Sequence, residues 1–294
     1  MDIDLLGALD VRENGVSVAP TAPKPRQVLA LLALHADQVV PLSVFLEELW
    51  AGAPPRSART TLQTYVLQLR ELIGAALLED APDTPPRTAK DVLVTAPGGY
   101  TLVSGDGVSD VREFERLAGV GYRAMDTGDF AGASRVLREA LDLWTGTAFA
   151  GVQPGPRLAT EAKRLEESRL CALDQRIEAD LRLGRHRELL AELTVVSSRY
   201  RTHEDLHAQF MIALHRSGRR GEAMDVYRRL RTTLVQELGL EPSPRLTRLH
   251  QHLLASPGDG PAPYPGPEGD LPPAEERMAA AGRPGAGHRA HSSY

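Results

Sequence analysis

From Arg56 to Arg70 the chain runs Arg-Ser-Ala-Arg-Thr-Thr-Leu-Gln-Thr-Tyr-Val-Leu-Gln-Leu-Arg, without an acidic residue. Ala58, Leu62, Tyr65, Leu69 and Leu72 recur at helical spacing, which predicts a helix with those residues against a core. Ser57, Thr60, Thr61, Gln63, Thr64 and Gln68 fall on the opposite side, flanked by Arg56, Arg59 and Arg70. Hydroxyls and amides hydrogen-bond base edges, and arginines hold phosphates. A face that meets only water is more often filled with Glu and Lys. This one is built for contact, and double-stranded DNA is the partner that best fits it.

Charge narrows that reading. Residues 1–105 carry eight Lys and Arg against twelve Asp and Glu, so the broad basic surface of many DNA-binding domains is missing. The positive charge is local to the Arg56–Arg70 stretch, and binding through it should be salt-sensitive. The 294 residues suffice for two ordinary domains. A lone cysteine, Cys171, excludes an internal disulfide framework and fits a reducing compartment. No leader pattern and no membrane-length apolar run stands out, Val28–Leu34 being far too short, so a soluble cytoplasmic protein is expected.

Along the chain, Ile3–Leu6, Leu9–Arg12 and Val16–Val18 alternate as short strands, with Asn14-Gly15 as a hairpin turn. Helical patterns follow at Lys24–Ala36 and Ser43–Trp50, then the Arg56 stretch to about Gly74. A Pro-rich connector spans Pro82–Pro86. A second hairpin is signalled by Val92–Thr95, Pro97-Gly98-Gly99 and Tyr100–Val103. Strands, three helices and a closing hairpin describe a winged helix-turn-helix over residues 1–105. From 106 to 255 the pattern is helical, and Gly128-Asp129-Phe130, Gly184-Arg185-His186 and Gly218-Arg219-Arg220 each open a new helix. Positions 184 and 218 lie 34 apart, the tetratricopeptide period, whereas 128 and 184 lie 56 apart around Pro154 and Pro156. The fold class expected is therefore mainly α with a small β component, the winged helix preceding tetratricopeptide-like repeats, with an ordinary helical bundle as the alternative for the second part. Residues 256–294 are Pro- and Gly-rich and predicted to be disordered.

The ordered blocks Lys24-Pro25-Arg26, Leu49-Trp50 before Pro54-Pro55, Ser57-Ala58-Arg59 running into Thr61–Val66 and Leu69-Arg70, and Pro97-Gly98-Gly99-Tyr100 together resemble one family, the Streptomyces antibiotic regulatory proteins. In the second half, Arg164–Glu167, Arg176–Leu181 with Leu183–His186, and Glu237–Pro242 resemble the bacterial transcriptional activation domain. With no nucleotide-binding module following, the resemblance is to a small member. It implies an activator that binds direct repeats about one helical turn apart upstream of antibiotic biosynthetic promoters and recruits RNA polymerase holoenzyme. It also implies a possible homodimer, with no cofactor, no metal and no membrane partner. By position, Thr60, Thr61, Gln63, Thr64 and Gln68 would face the major groove. Lys24, Arg26, Arg56, Arg59 and Arg70 would meet phosphate, and Gly98 and Gly99 would bring a wing to the minor groove. Relatives more often carry a polar and a basic residue where Leu67 and Gln68 stand; Leu67 either touches a thymine methyl or is simply exposed. The wing tip lacks arginine, for which Arg87 and Lys90 could compensate.

Two rival readings remain. The acidic first domain is consistent with a tetratricopeptide-like interaction scaffold whose winged helix no longer binds DNA. His203-Glu204-Asp205-Leu206-His207 matches the His-Glu-x-x-His pattern of zinc hydrolases, with Glu204 as general base. A third zinc ligand is not apparent, and Ala208–Met211 does not continue the motif. Paired acids such as Glu47-Glu48 and Glu166-Glu167 read as solvated helix faces.

Overall fold

The structure, a computed structural model, describes residues 1–78 and 87–255. The connector Pro82–Pro86 and the tail 256–294 lie outside the described residues. The chain forms two compact units, one of Met1–Ala118 with Glu139–Leu170, the other of Gly119–Arg138 with the residues from Cys171 onward.

The first unit begins with an antiparallel meander, β1 (Asp2–Asp4), β2 (Asp10–Glu13) and β3 (Val16–Ser17). Asn14 and Gly15 turn β2 into β3 with φ of 52° and 79°, the conformation that an Asn-Gly turn supplies. The first strand is shorter than the apolar run suggested. Leu5 and Leu6 leave the sheet, and their N–H groups go to the Asp110 carboxylate, both at 2.7 Å. Thr145 and Phe149 in turn donate to the Leu6 and Leu5 carbonyls at 2.9 Å. Residues well beyond position 105 thus complete the backbone bonding of the N-terminal segment.

Three helices follow: α1 (Pro23–Leu34), α2 (Leu42–Trp50) and α3 (Ala58–Leu77). The short α4 (Ala89–Val92) takes one residue, Val92, from the expected hairpin. A second sheet of order β4-β6-β5 combines Val40–Pro41, Gly99–Leu102 and Leu93–Ala96. The two-residue β4 carries no periodic signal, because a strand that short has no alternation to read. Leu29, Leu32, Phe45, Leu62, Leu69, Ile73, Leu93 and Leu102 are fully buried, and Phe45 meets Tyr100 edge to face at 6.0 Å. A three-helix core closed by a β-hairpin is a winged helix.

Beyond it the chain is helical: α5 (Asp110–Asp126), α6 (Phe130–Asp142), α7 (Pro156–Arg182), α8 (Leu189–Arg199), α9 (Glu204–Arg216), α10 (Arg220–Leu238) and α11 (Pro244–Ala255). Within the second unit the three recurring Gly signatures are one structural device. Gly128, Gly184 and Gly218 have φ of 77°, 78° and 78°. In each case the next N–H (Asp129, Arg185, Arg219) returns to the carbonyl five residues back at 2.9 Å. This is the glycine C-terminal motif that stops a helix and satisfies its last carbonyls. The turn repeats, and with it the helical hairpin.

The second unit also holds a polar hub. Asp180 is buried and accepts from Ser134 at 2.6 Å, Arg185 at 2.9 Å, Arg138 at 3.1 Å and Arg176 at 3.2 Å. Those donors hold its carboxyl below the usual aspartate range against the opposing effect of burial.

Candidate nucleic-acid interface

Helix α3 buries Ala58, Leu62, Val66, Leu69, Ile73 and Ala76. The expected stripe is thereby corrected at two positions: Tyr65 is only half-buried and Leu72 is exposed. Steps of four, four, three and four residues follow the 3.6-residue turn along a straight helix, and they select Val66 and Ile73 instead. The opposite face is as expected. Ser57, Arg59, Thr60, Gln63, Thr64 and Gln68 are exposed, as is Arg56 just before the helix, while Thr61 is half-buried.

The donors on this face differ in their freedom. The Thr61 hydroxyl donates to the Ser57 carbonyl at 3.0 Å and that of Thr64 to the Thr60 carbonyl at 3.1 Å. Their oxygens remain available as acceptors. Arg56 and Arg59 have no hydrogen-bond or ion-pair partner among the described residues. Ser57 occupies the N-cap without a side-chain cap bond; the Ala58 N–H goes to the Pro55 carbonyl at 3.0 Å, which leaves those of Arg59 and Thr60 for an anion.

Other basic residues expected at phosphate are held within the fold. Arg70 donates to the Leu93 carbonyl through Nε at 3.0 Å and Nη2 at 2.7 Å, and to Thr95 Oγ1 at 2.8 Å, so it fastens β5 to α3. Arg26 donates to the Leu9 carbonyl at 2.9 Å and the Pro20 carbonyl at 3.3 Å. The Lys24 ammonium reaches the Leu49 carbonyl at 2.8 Å and Gln27 at 3.2 Å. Arg87 pairs with buried Glu13 at 3.1 Å. Such engagement is invisible to sequence, because it depends on carbonyls brought in from other elements.

The two wing glycines also separate. Gly98, at the exposed tip of the β5–β6 hairpin, has φ of 80°. Gly99 is buried, and a Cβ there would lie 2.0 Å from the Val40 carbonyl oxygen. Its lack of a side chain serves the β4–β6 pairing rather than an approach to DNA.

Glu48 is the residue most misread by its sequence context. Far from solvated, it is 2% exposed. Its carboxylate accepts the N–H groups of Gly155 at 2.6 Å, Arg157 at 2.8 Å and Leu158 at 3.1 Å, and the Gln27 amide at 2.9 Å. It caps the N-terminus of α7, where a negative charge is favoured. Glu47 does reach solvent, pairing with Arg157.

The His-Glu-x-x-His segment is committed elsewhere. His203 is the N-cap of α9, its Nδ1 accepting the Leu206 N–H at 3.4 Å. His207 Nδ1 lies 3.0 Å from the His203 carbonyl oxygen, and Glu204 accepts the Ser243 N–H at 2.9 Å. Both Nδ1 atoms and the Glu204 carboxylate are thus already engaged by backbone groups around the starts of α9 and α11. Among the described residues no group of three or more His, Cys, Asp or Glu is placed to hold a metal ion, and no helix is long and apolar enough to cross a membrane.

Known proteins match both parts of the chain. Residues 109–254 match the family described as bacterial transcriptional activator domain, and residues 17–84 that of transcriptional regulatory protein, C terminal. Regulatory protein DnrI of Streptomyces peucetius is 53% identical over 259 residues, covering 88% of this chain and 94% of the relative. Regulatory protein AfsR of Streptomyces coelicolor is 35% identical over 251 residues, 85% of this chain but 24% of that longer protein. Among solved structures, Mycobacterium tuberculosis EmbR in complex with a low affinity phosphopeptide superposes with a TM-score of 0.76 at 30% identity, over 95% of this chain and 68% of the other.

Proposed function

The chain belongs to the Streptomyces antibiotic regulatory proteins, a family of transcriptional activators, and from that premise we propose that it reads direct repeats in promoter DNA through α3 and recruits RNA polymerase. Residues 1–105 supply the DNA contacts and residues 106–255 the surface for polymerase, with two copies side by side on repeats one helical turn apart. The genes controlled are those of a secondary-metabolite pathway, and the protein works in the cytoplasm on the nucleoid.

The observation that carries this reading is the exposed face of α3. From Arg56 to Arg70 it has no acid, two arginines without partners among the described residues and a run of short polar side chains on one side. Thr60, Gln63, Thr64 and Gln68 meet base edges in the major groove, while Arg56, Arg59 and the open N–H groups of the first turn hold phosphates. Thr61 and Ser57 flank that footprint, and Gly98 places the wing tip near the minor groove. Lys24, Arg26, Arg70 and Arg87 act one step back, by fixing the elements that present these groups.

Selection of bound sequences from a random DNA pool, followed by a salt titration on the winner, tests the proposal. Enrichment of a direct repeat at one-turn spacing, with affinity falling steeply as salt rises, is expected. Absence of enrichment at low salt would return the helical domain, as an interaction scaffold, to first place.

A further inference from the structure

On the outward side of α3, Thr60, Thr64, Leu67 and Glu71 form one crest, opposite the buried Leu62, Val66, Leu69 and Ile73. Leu67 stands two turns after Thr60, directly in line with it, between the amides of Gln63 and Gln68. The residue is 57% exposed. Whatever this face meets, it meets Leu67.

We propose that Leu67 is a specificity-determining residue that reads the 5-methyl group of a thymine in the major groove. The inference rests on α3 being the base-reading helix. A leucine neither donates nor accepts a hydrogen bond. Pressed against guanine O6 or N7, adenine N6 or cytosine N4, it would strip water from a polar atom and return nothing. The major-groove edge has one apolar feature, the thymine methyl. Leu67 therefore gains at a T·A pair and loses at the others.

Its surroundings support this choice. In the preceding turns the Thr61 and Thr64 hydroxyl hydrogens are spent on the Ser57 and Thr60 carbonyls, so the crest offers few donors to a base at Leu67. Gln63 and Gln68 can still hydrogen-bond the neighbouring pairs. The pattern is an apolar contact bracketed by polar ones, and it marks a single thymine within each repeat.

The test replaces each thymine of the selected site by deoxyuridine in turn, which removes only the methyl. Binding of the full-length protein and of Leu67→Ala is then compared. One position in each repeat should lose about fourfold in affinity with the wild-type protein, the factor that one buried methyl carries. Leu67→Ala should bind thymine and uracil sites alike, at about the wild-type affinity for uracil. Because Leu67 is exposed, this variant is expected to melt like the parent.

Four outcomes would overturn the inference. Wild-type indifference to every uracil would remove the methyl contact. A uracil penalty that persists in Leu67→Ala would assign the methyl to another side chain or to DNA shape. Equal loss of affinity for thymine and uracil sites in Leu67→Ala would mean that the leucine packs on something else, such as a neighbouring protein copy. If no DNA sequence is enriched at all, α3 is not a base reader and the inference falls with that reading. Enrichment without methyl dependence sinks the leucine assignment alone.

Discussion

The Glu48 carboxylate accepts the backbone N–H of Leu158 at 3.1 Å, and through it α2 of the winged helix caps α7, a helix that begins more than a hundred residues later. Gly155, Arg157 and Gln27 donate to the same carboxylate. Glu48→Ala leaves these donors buried without an acceptor, and we expect a loss of about 3–5 kcal/mol. Glu48→Gln keeps an acceptor but loses the charge at the helix N-terminus, costing roughly half as much. Trp50 and Trp144, the chain's two tryptophans, both lie in the first unit, so urea titration followed by tryptophan fluorescence reads that unit directly. A Glu48→Ala variant as stable as wild type would show that the cap contributes nothing.

Arg59 and Arg70 are separated by role rather than by charge. Arg59 has no partner among the described residues, so Arg59→Ala should weaken binding to all DNA sequences alike and lower the salt slope by about one. Arg70 holds the Leu93 carbonyl and Thr95. Arg70→Ala should destabilise the first unit by about 1–3 kcal/mol and leave the salt slope unchanged. Affinity measured across a salt series for both variants decides the matter. A salt slope lowered by Arg70→Ala as much as by Arg59→Ala would make Arg70 a phosphate contact after all, and an unchanged slope in Arg59→Ala would remove Arg59 as one.

The winged helix and the helical hairpins were legible because their signals are local. Asn14-Gly15, the helical periodicity of α1 to α3 and the recurring Gly turns each act within a few residues, and each marks its element in the fold, although on α3 Val66 and Ile73 take the buried places read for Tyr65 and Leu72. What escaped was set by distant chain. Glu48 looks like any surface acid until Gly155–Leu158 arrives above it. Arg26, Arg70 and Arg87 look like free cations until the Leu9 and Leu93 carbonyls and Glu13 are placed beside them. The same limit explains Gly99, whose constraint is a strand of only two residues. For the interface, sequence located the helix and its outer face but not the division between side chains already engaged and those left over.

Asp174, on α7, has its carboxyl pushed up to about 7, first by burial and then by the charges of Asp205 and Glu178, against the opposing pull of Arg245 and the Gln209 amide. Raised above its ordinary value of 3.8, the carboxyl binds its proton more tightly folded than unfolded. Its contribution to stability is therefore full below pH 4 and lost as pH rises through 7. Asp174→Asn keeps an acceptor for Gln209, which bonds Asp174 at 2.9 Å, and never ionises. It should match wild type near pH 4 and exceed it by about 2–4 kcal/mol at pH 8. Calorimetric melts from pH 4 to 8 would show the two curves diverging. Parallel curves would mean that Asp174 ionises as freely as an exposed acid.

Gly98 and Gly99 are adjacent, yet alanine should affect them in different ways. At Gly98 the φ of 80° strains any side chain, but nothing lies within 4 Å of a new Cβ. Gly98→Ala should cost about 1–2 kcal/mol and leave the hairpin paired. At Gly99 the Cβ would sit 2.0 Å from the Val40 carbonyl oxygen and 3.1 Å from Pro41 Cα. These are backbone atoms, so relief requires moving β4 and the start of α2 with it. Gly99→Ala should therefore cost about 3 kcal/mol or more, with loss of DNA binding following from loss of structure. Urea titration of both variants, set against their DNA affinities, separates this account from a direct wing contact. A Gly99→Ala protein that is as stable as wild type yet fails to bind would assign Gly99 to the DNA surface.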